Sequence, residues 1–169
     1  MSQPDSVSPL VTDLRWFKTS VGRICLGSRP SISAIEQLQA VPVTHVFTLQ
    51  TSAEDPAELG HSVEQNHLNW RWMPFDNIRN SSQSDVAMLQ QYLYETGQTL
   101  SQGGSIYLHC DTSMQRCQLF FYALCHHLRM PSASAYSVLH SLTENGPNSL
   151  SRKDLAWAAD LGTSVRYQF

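Results

Sequence analysis

The chain has 169 residues, 41% of them hydrophobic, which is enough for one well-buried core and too few for two ordinary domains. The formal net charge of -3 and the pI of about 6.1, without a run of lysine or arginine, argue against nucleic acid or an anionic membrane as the main partner. We expect residues 1–12 to form a flexible N-terminus, as the first residues of a domain often do, and residues 13–169 to form a single domain.

Hydrophobic periodicity and turn signals predict that strands alternate with helices in the first half of the chain. A hairpin over 15–26 is predicted to turn at Ser20-Val21-Gly22, and Ser31 is predicted to cap a helix that runs through Ala40. The segments predicted next are a strand over 43–48, a helix over 54–66 and a strand over 70–73.

One more strand and then only helices are predicted in the second half. The strand covers residues 105–108. Four helices are predicted. The first is capped by Ser84 or Asp85 and ends at Gly103-Gly104, and the second runs to about Arg129. The third runs from Pro131 or Ser132 to Glu144, and the fourth begins at the Ser151-x-x-Asp154 capping box and continues through Leu161. This order predicts an α/β fold with a mostly parallel central sheet flanked by helices.

The most informative stretch is the loop His109-Cys110-Asp111-Thr112-Ser113-Met114-Gln115-Arg116, which lies between the strand over 105–108 and an apolar helical run that begins at Gln118. In that position, backbone N–H groups and the positive end of the helix can surround one anion, while Arg116 binds two of its oxygens. The same field lowers the pKa of Cys110 and makes it a thiolate nucleophile. The loop is therefore predicted to transfer a phosphoryl group to sulfur.

This loop resembles the His-Cys-x5-Arg signature of the protein tyrosine and dual-specificity phosphatases. The resemblance extends from about Leu14 to Leu161, and it implies a dual-specificity phosphatase-like fold. Three upstream segments also carry the resemblance. An early strand and Leu-Gly-Ser turn of the family are similar to Ile24-Cys25-Leu26-Gly27-Ser28-Arg29-Pro30, and the strand after the family's first helix is similar to Val43-Thr44-His45-Val46-Phe47-Thr48-Leu49. The family's general-acid loop is similar to Trp72-Met73-Pro74-Phe75-Asp76.

The resemblance and the residue types together predict the site. Cys110 is expected to be the nucleophile, Arg116 to bind the phosphate, and Asp76 to be the general acid and base. His109 and Cys117 are expected to support them. The residues expected to bind substrate are Asp111, Thr112, Ser113, Met114, Gln115 and Arg116.

Asp76 is expected near Cys110 because both follow strands, and open α/β sheets bind ligands at the carboxyl ends of their strands. Two alternatives stay open. Asp76 could instead cap the local backbone at the start of a loop. Asp85 is the rival acid, although its place before an apolar periodic run favours a helix cap.

The loop departs from the family pattern at two positions. Ser113 stands where the family usually has glycine, so it accepts some strain or needs no positive φ. Cys117 stands where the family has Ser or Thr, whose hydroxyl eases departure of the thiolate, and a thiol is a weaker donor. Hydrolysis of the phosphoenzyme is therefore expected to be slow. Cys117 is either a small packed residue or, as a hypothesis, the partner that traps oxidised Cys110 in a disulfide.

The predicted reaction is hydrolysis of phosphate monoesters, in particular phosphotyrosine, phosphoserine or phosphothreonine on proteins, with small phosphate esters as another option. Asp111 and the absence of lysine from the loop disfavour polyanionic substrates. Two alternatives are kept. One is a phosphate-binding pseudophosphatase with little or no turnover. The other is the rhodanese-related cell-cycle phosphatase type, in which Asp76 would be dispensable.

No metal or organic cofactor is expected, because the histidines show no metal-ligand spacing. The four cysteines lack metal-like pairing and fit a reducing compartment, and no signal peptide or membrane span is recognisable. The sequence thus predicts a cytoplasmic protein and leaves its oligomeric state open.

Overall fold

A computed structural model describes residues 14–75, 83–111, 114–143 and 150–165. The strands of this described part are β1 (Phe17–Lys18), β2 (Arg23–Gly27), β3 (His45–Thr48), β4 (Asn69–Trp72) and β5 (Ser105–His109). Its helices are α1 (Ile32–Ala40), α2 (Ala57–Gln65), α3 (Gln83–Ser101), α4 (Gln115–His127), α5 (Ser132–Leu142) and α6 (Arg152–Val165). The predicted alternation of strands and helices, followed by helices alone, is confirmed.

The five strands form one sheet in the order β1-β2-β5-β3-β4. Only β1 is antiparallel to its neighbour, and the other four strands run parallel, which confirms the predicted sheet. Because those four strands run the same way, the loops that follow them all leave from one edge of the sheet.

Both faces of the sheet are covered by helices. Side chains alternate along β5, so Ile106 and Leu108 belong to a core shared with α3, α4, α5 and α6, whereas Tyr107 belongs to a second core shared with α1 and α2. Helix α4 lies inside the larger core and is buried continuously from Cys117 to Cys125. Cys110, which follows β5, and Gln115, which begins α4, are thus positioned by a buried strand and a buried helix.

Two predicted helix starts are wrong. The helix expected over 54–66 begins at Ala57. Residues Ser52–Glu54 form a separate 3-10 turn, and Asp55 has a left-handed backbone (φ 54°, ψ 65°), because the proline that follows it disfavours the helical conformation at residue 55. Helix α3 already begins at Gln83, before the predicted cap positions Ser84 and Asp85, and Asp85 lies in its first turn, where a carboxylate complements the helix dipole.

The capping box predicted for the last helix is confirmed. The Ser151 hydroxyl accepts a hydrogen bond from the Asp154 amide at 3.0 Å, and the Asp154 carboxylate accepts one from the Ser151 amide at 3.4 Å. Within the described ranges, no helix combines the length and apolarity needed to span a bilayer.

The close contact between α4 and α6 generates a stability prediction. A Cβ on Gly162 of α6 would collide with the backbone carbonyl of Ala123 in α4. Gly162→Ala should therefore lower the free energy of unfolding by about 2 kcal/mol, as overpacking against backbone does. Urea denaturation would measure this.

Gly97→Ala is the matched control, since a Cβ there meets only the ring of His127, with its Nε2 at 3.2 Å, and the substitution raises helix propensity. It should leave stability unchanged or raise it. Equal stability of the two variants would contradict the proposed packing.

Candidate active site

Loops after four parallel strands meet at the carboxyl edge of the sheet. Cys110 follows β5 directly and is fully buried, and helix α4 starts five residues later at Gln115. Met114 caps α4 with a left-handed backbone (φ 60°, ψ 10°), so the chain turns sharply into the helix. The first N–H groups of α4 therefore point toward the cysteine loop, where they favour an anion.

Hydrogen bonding lowers the pKa of Cys110. The largest cause is a hydrogen bond from the Cys117 side chain, and the Cys117 amide and the charge of Arg116 act in the same direction. Burial and the charge of Asp111 oppose the shift. Burial raises the pKa of Cys117 itself well above its ordinary value, so Cys117 keeps its proton and remains a donor.

The proton of Cys117 has two possible acceptors. Its Sγ lies 3.3 Å from the carbonyl oxygen of Met114, to which it donates when it does not donate to Cys110. Because a thiol has a single proton, one of these bonds is made at a time. A hydrogen bond from Cys117 to the sulfur of Cys110 therefore takes the place of the one to Met114.

Arg116 is held by an ion pair with Glu54, a residue that the sequence analysis did not assign to the site. Its two terminal nitrogens donate to Oε1 and Oε2 of Glu54, each at 2.7 Å, and one of them also donates to the carbonyl oxygen of Phe75 at 2.9 Å. The Arg116 side chain is only 10% exposed. This bidentate pairing raises the pKa of Arg116 and holds the pKa of Glu54 below its usual value.

The loop that carries Glu54 is tied to the cysteine by Gln50 and Arg29. The Gln50 amide donates to the carbonyl oxygen of Cys110 at 3.2 Å and accepts from Arg29 at 3.2 Å. Arg29 also donates to the carbonyl oxygens of Glu54 and Asp55, at 2.8 and 2.9 Å. The loops after β2, β3 and β5 therefore hold one another in place.

His109 is fully buried behind the cysteine. Its Nδ1 lies 3.2 Å from the carbonyl oxygen of Cys110, and its Nε2 lies 2.7 Å from the hydroxyl of Thr48. The indole N–H of Trp70 donates to the same hydroxyl at 2.9 Å. Burial lowers the pKa of His109 to about 4, so the ring is neutral at physiological pH.

Several predicted site residues lie together at this edge of the sheet: His109, Cys110, Asp111, Met114, Gln115, Arg116 and Cys117. Asp76, Thr112 and Ser113 lie outside the described residues. Sequence reasoning missed Glu54, Gln50 and Thr48. A signal for Glu54 existed in Thr51-x-x-Glu54, a reciprocal cap that holds the carboxylate beside the Thr51 amide at 2.8 Å. Among the described residues, no cluster of His, Cys, Asp and Glu could hold a metal ion.

Solved phosphatase structures share this fold. Kinase associated phosphatase, with its catalytic-site cysteine replaced by serine, is 13% identical with a TM-score of 0.70, over 92% of this chain and 98% of that one. PTPMT1 is 12% identical with a TM-score of 0.71, over 90% and 97%. Tk-PTP in its active form is 15% identical with a TM-score of 0.68, over 85% and 92%.

The chain therefore has the fold of the cysteine-dependent tyrosine and dual-specificity phosphatases, as the sequence resemblance implied. This result favours that fold over the rhodanese-related alternative. No protein-family model matches the chain, and neither does any curated protein sequence.

The hydrogen bond from Cys117 generates a prediction about the reactivity of Cys110. Cys117→Ala removes the side-chain donor, so the pKa of Cys110 should rise and its alkylation by iodoacetamide at pH 7 should slow roughly tenfold, the effect of one lost hydrogen bond. Cys117→Ser keeps a donor and should not slow the reaction. The pH dependence of alkylation, followed by intact mass, would measure both.

Cys125→Ala serves as the control, because burial raises the pKa of that thiol to about 12 and keeps it unreactive at pH 7. An alkylation profile unchanged by Cys117→Ala would show that Cys117 does not tune the nucleophile.

Proposed function

We propose that this protein hydrolyses phosphate monoesters through a cysteinyl-phosphate intermediate on Cys110. The observation that carries the proposal is the meeting of a thiol whose pKa is lowered, a nearly buried guanidinium and the start of a 13-residue helix at one edge of the sheet. A thiolate provides the nucleophile, and the guanidinium and amides stabilise the charged oxygens of the transition state.

Two steps complete the reaction. In the first, the Cys110 thiolate attacks phosphorus, and the bond from phosphorus to the leaving oxygen breaks as Asp76 protonates that oxygen. In the second, Asp76 takes a proton from water, whose oxygen bonds to phosphorus as the phosphorus–sulfur bond breaks. Inorganic phosphate leaves, and the Cys110 thiolate is restored.

The role of Asp76 is supported by its neighbour in sequence. Phe75 accepts a hydrogen bond from Arg116, so the described part of the loop after β4 contacts the phosphate-binding residue. A general acid must come within hydrogen-bond reach of the leaving oxygen. Asp76 is the acidic residue that comes directly after Phe75 in the chain, which supports it as the general acid.

Three other residues are proposed to orient the reacting groups. Glu54 holds the Arg116 guanidinium in one plane, which lowers the entropy lost when an oxyanion binds. His109 fixes the peptide of Cys110. Cys117 donates to the departing thiolate in the second step, and because a thiol is a weaker donor than a hydroxyl, that step is proposed to limit the rate.

The proposed substrates are phosphotyrosine, phosphoserine or phosphothreonine on proteins. The phosphatases that share the fold support a phosphate ester as substrate, and the negative charge of Asp111 beside Arg116 supports one phosphate group over several. All four cysteines are free thiols, which supports action in the reducing cytoplasm.

One observation favours the second candidate, a pseudophosphatase that binds phosphate without turnover. Arg116 already contacts two carboxylates, those of Glu54 and Asp111. A substrate phosphate must compete with this pairing for Arg116. Weaker binding of the phosphate oxygens in the transition state would lower the rate of hydrolysis.

The proposal predicts hydrolysis of p-nitrophenyl phosphate that depends on Cys110. Rapid mixing should show a burst of nitrophenol followed by slower turnover, because the second step is proposed to limit the rate. Cys110→Ser should abolish the burst and steady turnover while the protein remains folded. Phosphate binding by wild-type protein, with neither burst nor turnover, would instead identify the pseudophosphatase.

A second prediction concerns the acid. Asp76→Asn should lower kcat for an unactivated substrate, phenyl phosphate, by a factor of roughly 100, since the leaving oxygen loses its proton donor. Asp85→Asn is the matched control and should leave kcat unchanged. If Asp85→Asn were the variant with the large loss, the two assignments would have to be exchanged.

A further inference from the structure

The carboxylate of Asp111 lies between the two groups that would hold the reacting phosphate. Its Oδ2 is 3.2 Å from a terminal nitrogen of Arg116, and its Oδ1 is 3.9 Å from Sγ of Cys110. One carboxylate of this chain therefore reaches from the proposed nucleophile to the proposed phosphate-binding residue.

A substrate would have to place its own oxygens in the same region. Transfer to sulfur needs the phosphorus within reach of Cys110, and charge stabilisation needs its oxygens on Arg116. A carboxylate shares two properties with a phosphate group, namely a negative charge and oxygens that accept from a guanidinium. Asp111 and a phosphate cannot hold the same N–H group of Arg116 at once.

Asp111 is the more easily displaced of the two carboxylates on Arg116. Both carboxylate oxygens of Glu54 lie 2.7 Å from Arg116 and its side chain is 28% exposed, whereas Oδ2 of Asp111 lies 3.2 Å from Arg116 and its side chain is 45% exposed. A longer, more exposed ion pair is weaker because water competes for it. An incoming anion would thus replace Asp111 and leave the Glu54 pair in place.

We propose that Asp111 is a specificity-determining residue that acts as an internal substitute for the substrate's phosphate, occupying the empty site and competing with every anion that enters it. This inference rests on the proposed function. An anion must outcompete the carboxylate for Arg116 and then tolerate its negative charge nearby. Both demands select a single phosphate group that gains additional binding energy from the rest of its substrate.

Direct titration with tungstate, a tetrahedral oxyanion that needs no turnover, tests this competition. Calorimetry would compare wild-type protein with Asp111→Asn and Asp111→Ser, which remove the charge and keep a small polar side chain. Both variants should bind tungstate roughly fivefold more tightly, the expected effect of removing one exposed ion-pair competitor. Thermal unfolding would establish that each variant is folded.

Asp55→Asn is the matched control for loss of one negative charge near the site. Asp55 follows Glu54 directly, and the backbone carbonyl oxygen of Asp55 accepts a hydrogen bond from Arg29. It also has a left-handed backbone (φ 54°), which asparagine accepts readily. Its tungstate affinity should stay within about twofold of wild type.

The outcomes separate this inference from the proposed function. Equal or weaker tungstate binding by the Asp111 variants would overturn the inference, as would an equal gain in Asp55→Asn, which would reflect net charge alone. No tungstate binding by any of the folded proteins would overturn the proposed function itself, and the inference with it.

Discussion

The ion pair between Glu54 and Arg116 is the contact on which the arrangement of the site depends. A guanidinium that is 10% exposed must be paired, because leaving it uncompensated would cost several kcal/mol. The pairing joins the loop after β3 to the start of α4, and Phe75 adds the loop after β4. Three connections far apart in sequence are thereby fixed around the guanidinium of Arg116.

The lowered pKa of Cys110 owes more to hydrogen bonding than to charge. Of the charged groups that act on this thiol, Arg116 lowers its pKa and Asp111 raises it, as burial also does. The pKa of Cys110 is nevertheless lowered, because the side chain and amide of Cys117 donate to the sulfur. Cys117, where the loop departs from the phosphatase pattern, therefore helps to lower the pKa of Cys110.

The sequence was informative where one local segment carries the signal. The strand before Cys110 and the buried helix after it are adjacent in the chain, and the Ser151-x-x-Asp154 capping box is complete within four residues. Periodicity fails at Glu54, where it predicts a helix, because Asp55 precedes a proline and has a left-handed backbone that separates Glu54 from α2.

The rest of the site depends on contacts that no local pattern contains. Glu54 meets Arg116, and Thr48 meets His109, across about sixty residues of sequence. These pairs arise because parallel strands bring their carboxyl ends together. The direction of each strand can be predicted from the order of elements, but which side chains face each other depends on strand order and register.

The contacts behind His109 run in one direction only. The carbonyl oxygen of Cys110 can only accept, so the neutral ring carries its hydrogen on Nδ1. Nε2 then accepts from the hydroxyl of Thr48, and the oxygen of that hydroxyl accepts from the indole N–H of Trp70. A hydrogen on Nε2 would instead turn the Nδ1 lone pair toward that carbonyl oxygen, which repels it. The imidazole is thus confined to a single tautomer, and a row of three interior side chains anchors the peptide at the end of β5.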